Sequence, residues 1–482
     1  MTEPARYLTF ESTGDDALDS LLGGGIPSGS LTVVAGEPGS GKTIFTLQML
    51  FQAARQGKKC LYFTTQSEPA LKLVRYMQLF AFFDAELLGR QVQFVDLGAA
   101  LRIGSEAVVA TIAEQVEAFD ANIVVIDSFR AINDCPPVVR RARVYDLVVQ
   151  LGAWGTTAFL VGEYTPKDYS EFAEFAIADG IIRLGMEREE LTSVREFEVL
   201  KLRGAAYVTG RHFCEITAKG FSIYPRVRAP DPERAERQFR LEDQLSTGVA
   251  GLDELLAGGL PRSTTTVLQG PTGAGKNILA LQFLMAGAHR NEKGILFTLE
   301  ETPEQLRAIA GAIGLDLANQ EKKGLISICY CSPVELSTDR FLFDARNLVA
   351  RSGARLAVFD SLTSMAMGVP SQRRFTEVVY SLAKHMQNAG TTVIMTMESE
   401  QLIGAGKLTG YGVSFLADAL IQIRYVELEG ALERAITVVK ARGLKHLAGM
   451  RTLTIDRGAV SVTPGRLHKM TGILTGVPAR AE

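Results

Sequence analysis

The chain has 482 residues, 46% of them hydrophobic and 22% charged, with a formal net charge of −3. That length exceeds what one core holds and suits two domains, or three on length alone, of ordinary globular composition. The weak net charge excludes bulk attraction to nucleic acid or an anionic membrane, and no apolar run reaches membrane-spanning length.

The opening residues MTEPARYLTF do not read as a signal peptide. Leu31–Ala35, Cys60–Thr64, Val92–Val95, Ile123–Ile126 and Thr157–Val161 are short β-rich runs and are predicted strands. Gly41–Gln56, Ser67–Phe82, Ser105–Phe119 and Val138–Trp154 carry a helical period between them. This alternation predicts an α/β domain with a mostly parallel sheet and helices on both faces. After Asp179 the pattern changes, and Gly180–Leu184 and Glu196–Leu202 are expected to form an antiparallel extension. A charged stretch with Pro230 and Pro232 then marks a linker over residues 229–244. Five scattered cysteines (Cys60, Cys135, Cys214, Cys329, Cys331) lack zinc-finger spacing, which points to buried thiols in a reduced, cytoplasmic setting.

The second half repeats the first. Ser12-Thr13-Gly14, Leu18-Asp19 and Gly24-Gly25-Ile26-Pro27 recur 234 residues later as Ser246-Thr247-Gly248, Leu252-Asp253 and Gly258-Gly259-Leu260-Pro261. The strand ending Asp127-Ser128 is matched by one ending Asp360-Ser361, and KLRG at Lys201–Gly204 by KARG at Lys440–Gly443. So long a period indicates a duplicated domain rather than a solenoid. The expected layout is a first domain over residues 1–228, the linker, a second domain over 245–465, and a C-terminal segment over 466–482.

Each copy carries G-x-x-x-x-G-K between a strand and a helix: GEPGSGKT at Gly36–Thr43 and GPTGAGKN at Gly270–Asn277. Glycines there free successive backbone N–H groups to wrap phosphates at a helix N-terminus. The candidate ATP contacts are Gly36, Gly39, Ser40, Gly41, Lys42 and Thr43, and in the second copy Gly270, Thr272, Gly273, Ala274, Gly275, Lys276 and Asn277. The lysines would neutralise phosphate charge, and the Thr43 hydroxyl would ligate Mg²⁺. Asn277 stands where the pattern wants a hydroxyl; its carbonyl oxygen reaches for a metal on a longer, less suited arm. Asp127 and Asp360 end apolar strands where a metal-holding carboxylate belongs, although such a residue also serves as a turn or cap. In the second copy LFTLEETPEQL sets Glu300 and Glu301 at a strand end, where a carboxylate polarises an attacking water or hydroxyl; the alternative is a solvated acidic turn. The first copy reads YFTTQSEPAL there, with Gln66 and Ser67. One copy therefore has the metal-ligating hydroxyl without the base, and the other the base without the hydroxyl.

Together the paired loops, the STG…GLD…GGLP lead-in, the strand followed by EETP and the KxRG motif resemble the KaiC family of RecA-like ATPases, over nearly the whole chain. The resemblance implies two tandem RecA-like P-loop domains, ATP with Mg²⁺ between subunits of a homohexamer, slow hydrolysis in the first ring and Ser/Thr autophosphorylation in the second. It also implies that Lys201 and Arg203, and Lys440 and Arg442, reach ATP held by a neighbouring subunit. The family's phosphoacceptor Ser-Thr pair aligns with Ser414-Phe415, so only Ser414 is retained. LHKMTGILTGVPAR resembles the family's regulatory loop segment, and a regulatory protein partner is part of that expectation.

The sequence thus favours a Mg²⁺-dependent ATPase with its chemistry centred on Glu300 and Glu301. A non-hydrolysing nucleotide sensor is the main alternative. A DNA-dependent ATPase would need basic pore loops, and Arg140, Arg141 and Arg143, with Arg373 and Arg374, are as easily helix faces.

Overall fold

The computed structural model describes residues 8–65, 70–133, 137–189, 192–226, 242–333, 337–369, 371–399, 415–428, 431–456, 459–465, 470–471 and 479–480. The chain divides into two compact units, Met1–Arg226 and Val227–Glu482. Gln66, Ser67, Cys135, Ser414, nearly all of the linker and most of the C-terminal segment lie outside the described residues.

In the first unit, five predicted strands appear within two residues of their expected ends, and all run parallel. The nine-stranded sheet runs, edge to edge, Gly220–Tyr224, Arg211–Thr217, Thr192–Leu202, Gly180–Glu189, Leu31–Gly36, Thr157–Glu163, Ile123–Asp127, Cys60–Thr64, Val92–Asp96. Alternate residues point to opposite faces and feed two cores. Val34, Tyr62 and Val125 pack with Phe45, Leu47 and Phe51 of helix Lys42–Arg55. Val33, Leu61 and Val124 pack with Val108 and Ile112 of helix Ser105–Phe119 and with Leu147 and Leu151 of helix Pro137–Ala153. Strands buried on both faces read as the continuous apolar runs seen in the sequence.

Two expectations need correction. Gly180–Glu189 is not part of the antiparallel extension on its inner edge: it pairs parallel with Leu31–Gly36, and antiparallel pairing begins with Thr192–Leu202. The direction of a strand is set by its crossover, which residue pattern alone does not record. The helix expected over Ser67–Phe82 is described at Ala70–Met77. Phe82 and Phe83 leave the helical path to pack on Phe51, and Arg55 donates to the Phe82 carbonyl.

The second unit repeats this plan. Its nine strands run Ile326–Tyr330, Gly294–Thr298, Leu356–Asp360, Thr392–Glu398, Thr265–Gly270, Ala419–Leu428, Ala431–Ala441, Met450–Asp456, Ala459–Val462. Helix Lys276–His289 covers one face, and helices Thr338–Ser352 and Gln372–Asn388 cover the other. The chain therefore contains two tandem RecA-like P-loop domains. Among the described residues no helix is long and apolar enough to cross a membrane, and Cys60, Cys214, Cys329 and Cys331 form no disulfide.

Candidate nucleotide-binding sites

Each glycine-rich loop leaves the central strand of its sheet and turns into a helix whose first residue is the motif lysine. Gly41 and Gly275 sit just before that helix at φ 101° and 97°, a left-handed backbone that glycine adopts without strain. A Cβ on Gly275 would lie 2.2 Å from Ile455 Cδ1, and one on Gly41 would lie 2.6 Å from Ile216 Cδ1. Gly39 and Gly273 are also left-handed. The side chain of Ser40 points into the loop beside Gly36, so it can face a nucleotide only through its backbone; Ala274 fills the same place.

Lys42 and Lys276 fold back over their own loops. Lys42 Nζ donates to the Gly36 and Glu37 carbonyls at 3.0 and 2.8 Å, and Lys276 Nζ to Gly270 and Pro271, both at 3.0 Å. Burial pulls both ammonium groups below the ordinary lysine range, opposed by nearby carboxylates, of which Glu163 and Glu398 act most strongly. Each lysine is thus a desolvated cation held by carbonyls that a polyphosphate could replace. Thr272 hydrogen-bonds Glu398 at 2.9 Å.

The metal side differs between copies. In the first, the Thr43 hydroxyl donates to Asp127 Oδ2 at 2.9 Å, and the buried Tyr62 hydroxyl donates to the same oxygen at 2.6 Å. A hydroxyl beside a carboxylate at a helix N-terminus offers the hard oxygen donors that Mg²⁺ takes, so these residues fit that ion. Burial, then the charge of Asp127, holds the Tyr62 phenol well above its ordinary pKa, which keeps it a donor. In the second copy Thr396 donates to Asp360, which is 2% exposed. Burial, reinforced by Glu301 and Glu300, raises Asp360 to about 7 against the pull of Thr396 and Lys276. The Asn277 amide turns its NH₂ to Glu301 Oε1 at 2.8 Å, where its counterpart Thr43 meets the strand-end aspartate.

Glu300 and Glu301 lie between strand Gly294–Thr298 and helix Pro303–Ala312, which Thr302 and Gln305 close with a capping box. They sit on the bend just before the helix, Glu300 exposed and Glu301 half-buried, so the acidic turn is there, and what distinguishes it is the partners of its carboxylates. Ser361 and Ser364 both donate to Glu300 Oε1 at 2.5 Å, with Ser361 also capping helix Leu362–Met367. Glu301 titrates above its ordinary range, through burial and then the neighbouring charge of Glu300. The residues after Asp127 and Asp360 are joined to them by cis peptide bonds in both copies.

The basic pairs go elsewhere. Lys201 Nζ donates to the Ala178 carbonyl and Arg203 pairs with Asp179; Lys440 donates to Ala417, and Arg442 pairs with Asp418. Lys201 pairs with Ile181, level with Val33, and Lys440 with Leu420, level with Val267. That is three residues before the loop of the same copy, about 10 Å along the strand. Arg373 and Arg374 form ion pairs with Glu377, and Arg374 also with Asp339; Arg140, Arg141 and Arg143 lie on helix Pro137–Ala153.

Several residues escaped the sequence reading. Arg195 donates to the Gly39 carbonyl at 3.4 Å and Arg434 to that of Gly273 at 3.3 Å, so each loop is braced from the antiparallel extension. Both stand six residues before the KxRG lysine, a signal visible once the copies are aligned. Tyr62, Thr396 and Ser364 carried no motif.

The model of the family described as "ATPase: KaiC" matches residues 12–228 and 245–466. The circadian clock oscillator protein KaiC of Picosynechococcus is 28% identical over 480 residues, 96% of this chain and 91% of that protein. The circadian clock oscillator protein KaiC 1 of Synechocystis is 27% identical across 96% and 91%, and its circadian clock protein KaiC3 28% identical across 97% and 94%. With two RecA-like domains and a phosphate loop in each, this chain belongs to the KaiC ATPase family.

Proposed function

We propose that this protein is a Mg²⁺-dependent ATPase that binds ATP at both loops and carries out its chemistry chiefly in the second domain, through Glu300 with Glu301 beside it. The observation that carries this reading is the Glu300 carboxylate, held by Ser361 and Ser364 at the strand end beside Lys276 and Asp360. Loop N–H groups and Lys276 would bind the phosphates, and Arg434 would keep the loop in shape. Glu300 would orient an attacking water and accept its proton. In the first domain Thr43 and Asp127 would hold Mg²⁺, which when bound neutralises phosphate charge, so that domain is suited to retaining nucleotide. Lys201, Arg203, Lys440 and Arg442, placed away from the loops of their own copy, suit ATP held by a neighbouring copy, which supports a homohexameric ring. Autophosphorylation of Ser414, and a regulatory partner, belong to the same reading but rest on the family alone.

Glu300→Gln tests the reading, because the amide oxygen still accepts from both serines while basicity is lost. Turnover should fall by roughly two to four orders of magnitude, the usual span of a general base, with ring assembly unchanged. Unaltered turnover with Mg·ATP would refute it.

A further inference from the structure

The equivalent loop residues Thr43 and Asn277 have different partners. Thr43 serves the strand-end aspartate, whereas Asn277 Nδ2 donates to Glu301 Oε1 at 2.8 Å, and Asp360 is served by Thr396 from an adjacent strand. A carboxylate oxygen only accepts, so the planar amide must face Glu301 with its NH₂, and its oxygen lies on the opposite branch. Among the described residues the other oxygen of Glu301 is buried with no side-chain donor, so Asn277 is the side chain that fixes this carboxylate. Glu300 is fixed from the other direction, by Ser361 and Ser364. Adjacent carboxylates repel, and tethering each to a different wall keeps them apart.

We propose that Asn277 is a positioning residue for Glu301 and not a magnesium ligand: the hydroxyl that tightens metal binding in the first copy is replaced here by an amide that ties the outer glutamate to the phosphate loop. This rests on the reading of both loops as Mg·ATP sites. The second copy thereby trades a preformed metal pair for a preformed arrangement of acids, and its metal affinity depends little on residue 277.

The test uses the full-length protein with a non-hydrolysable ATP analogue and Mn²⁺, free Mn²⁺ being read by electron paramagnetic resonance. Thr43→Ala should weaken one class of sites at least tenfold and so identify the first copy. Asn277→Ala should leave the other class within about twofold of wild type; a tenfold loss there would make Asn277 a metal ligand and overturn the proposal. A cycle with Glu301→Gln supplies the second readout. Asn277→Ala should lower turnover roughly tenfold or more in the wild-type background, the size of one charge-assisted hydrogen bond, and less than about twofold beside Glu301→Gln. Additive losses would refute positioning. If the alanine variant does not assemble, Asn277→Leu, of similar volume and without a donor, carries the same measurements. A chain that binds Mn²⁺ and analogue but never hydrolyses ATP defeats the ATPase reading alone, since the Mn²⁺ titration still decides the role of Asn277.

Discussion

Asp360→Asn removes a charge from the most heavily loaded position of the second site. The aspartate is buried, and burial with Glu301 and Glu300 raises it from 3.8 to about 7, even though Thr396 hydrogen-bonds it. A folded-state pKa above the unfolded value means that the folded chain holds its proton longer. Below about pH 4 both states are protonated and no penalty exists; from there to about pH 7 folding is progressively penalised, and above pH 7 the penalty is complete. At about 1.4 kcal/mol per pH unit that displacement caps the penalty at roughly 4 kcal/mol, and relaxation of the site reduces it to about 1–3 kcal/mol. Asparagine keeps the shape and the acceptor for Thr396 but carries no charge. Without nucleotide and in EDTA, the variant should melt roughly 2–12 °C above wild type at pH 8, a domain of this size gaining about 2–4 °C per kcal/mol. At pH 4.5 only about a fifth of the penalty has developed, so the two should melt within about 2 °C of each other. The assay is differential scanning calorimetry at both pH values, following the transition that saturating Mg·ATP shifts in Glu300→Gln. A variant less stable than wild type at pH 8, or equally stabilised at both pH values, would refute the reasoning.

Other outcomes follow from single contacts. Tyr62→Phe strips one of two donors from Asp127 and should cost about 1–3 kcal/mol by denaturant titration, with the core otherwise intact. Gly275→Ala forces a left-handed alanine against Ile455 and should abolish ATP-analogue binding to the second copy while the first still binds, read by the stoichiometry of a calorimetric titration. Lys201→Ala with Lys440→Ala leaves both loops untouched and should weaken ATP-dependent assembly, read by sedimentation velocity; an unchanged assembly would mean that these lysines only tie strand ends to Ala178 and Ala417.

Much of the fold was legible because it is written in local pattern. The apolar runs of the parallel strands and the helix of each phosphate loop depend on neighbours in the chain, and the duplication let one half check the other. The direction of Gly180–Glu189 was not legible, because it depends on a crossover and on pairing with Leu31–Gly36 far away in sequence. The early end of helix Ala70–Met77 was also hidden, since aromatic packing against Phe51 outweighed the local helical period.

By itself the sequence determined the two loops, the strand-ending aspartates, the glutamate pair of the second copy and the substitution at Asn277, since each is a residue type at a fixed spacing. Only the tertiary structure decided which donor meets which carboxylate. Tyr62 reaches Asp127 because the two stand diagonally on adjacent parallel strands, where Thr64 is the direct neighbour of Asp127. Thr396 reaches Asp360 from the strand on its other side, and Asn277 turns to Glu301 across the site. Hydrogen bonds are short-ranged and directional, so such pairings exist only once distant strands are brought into register.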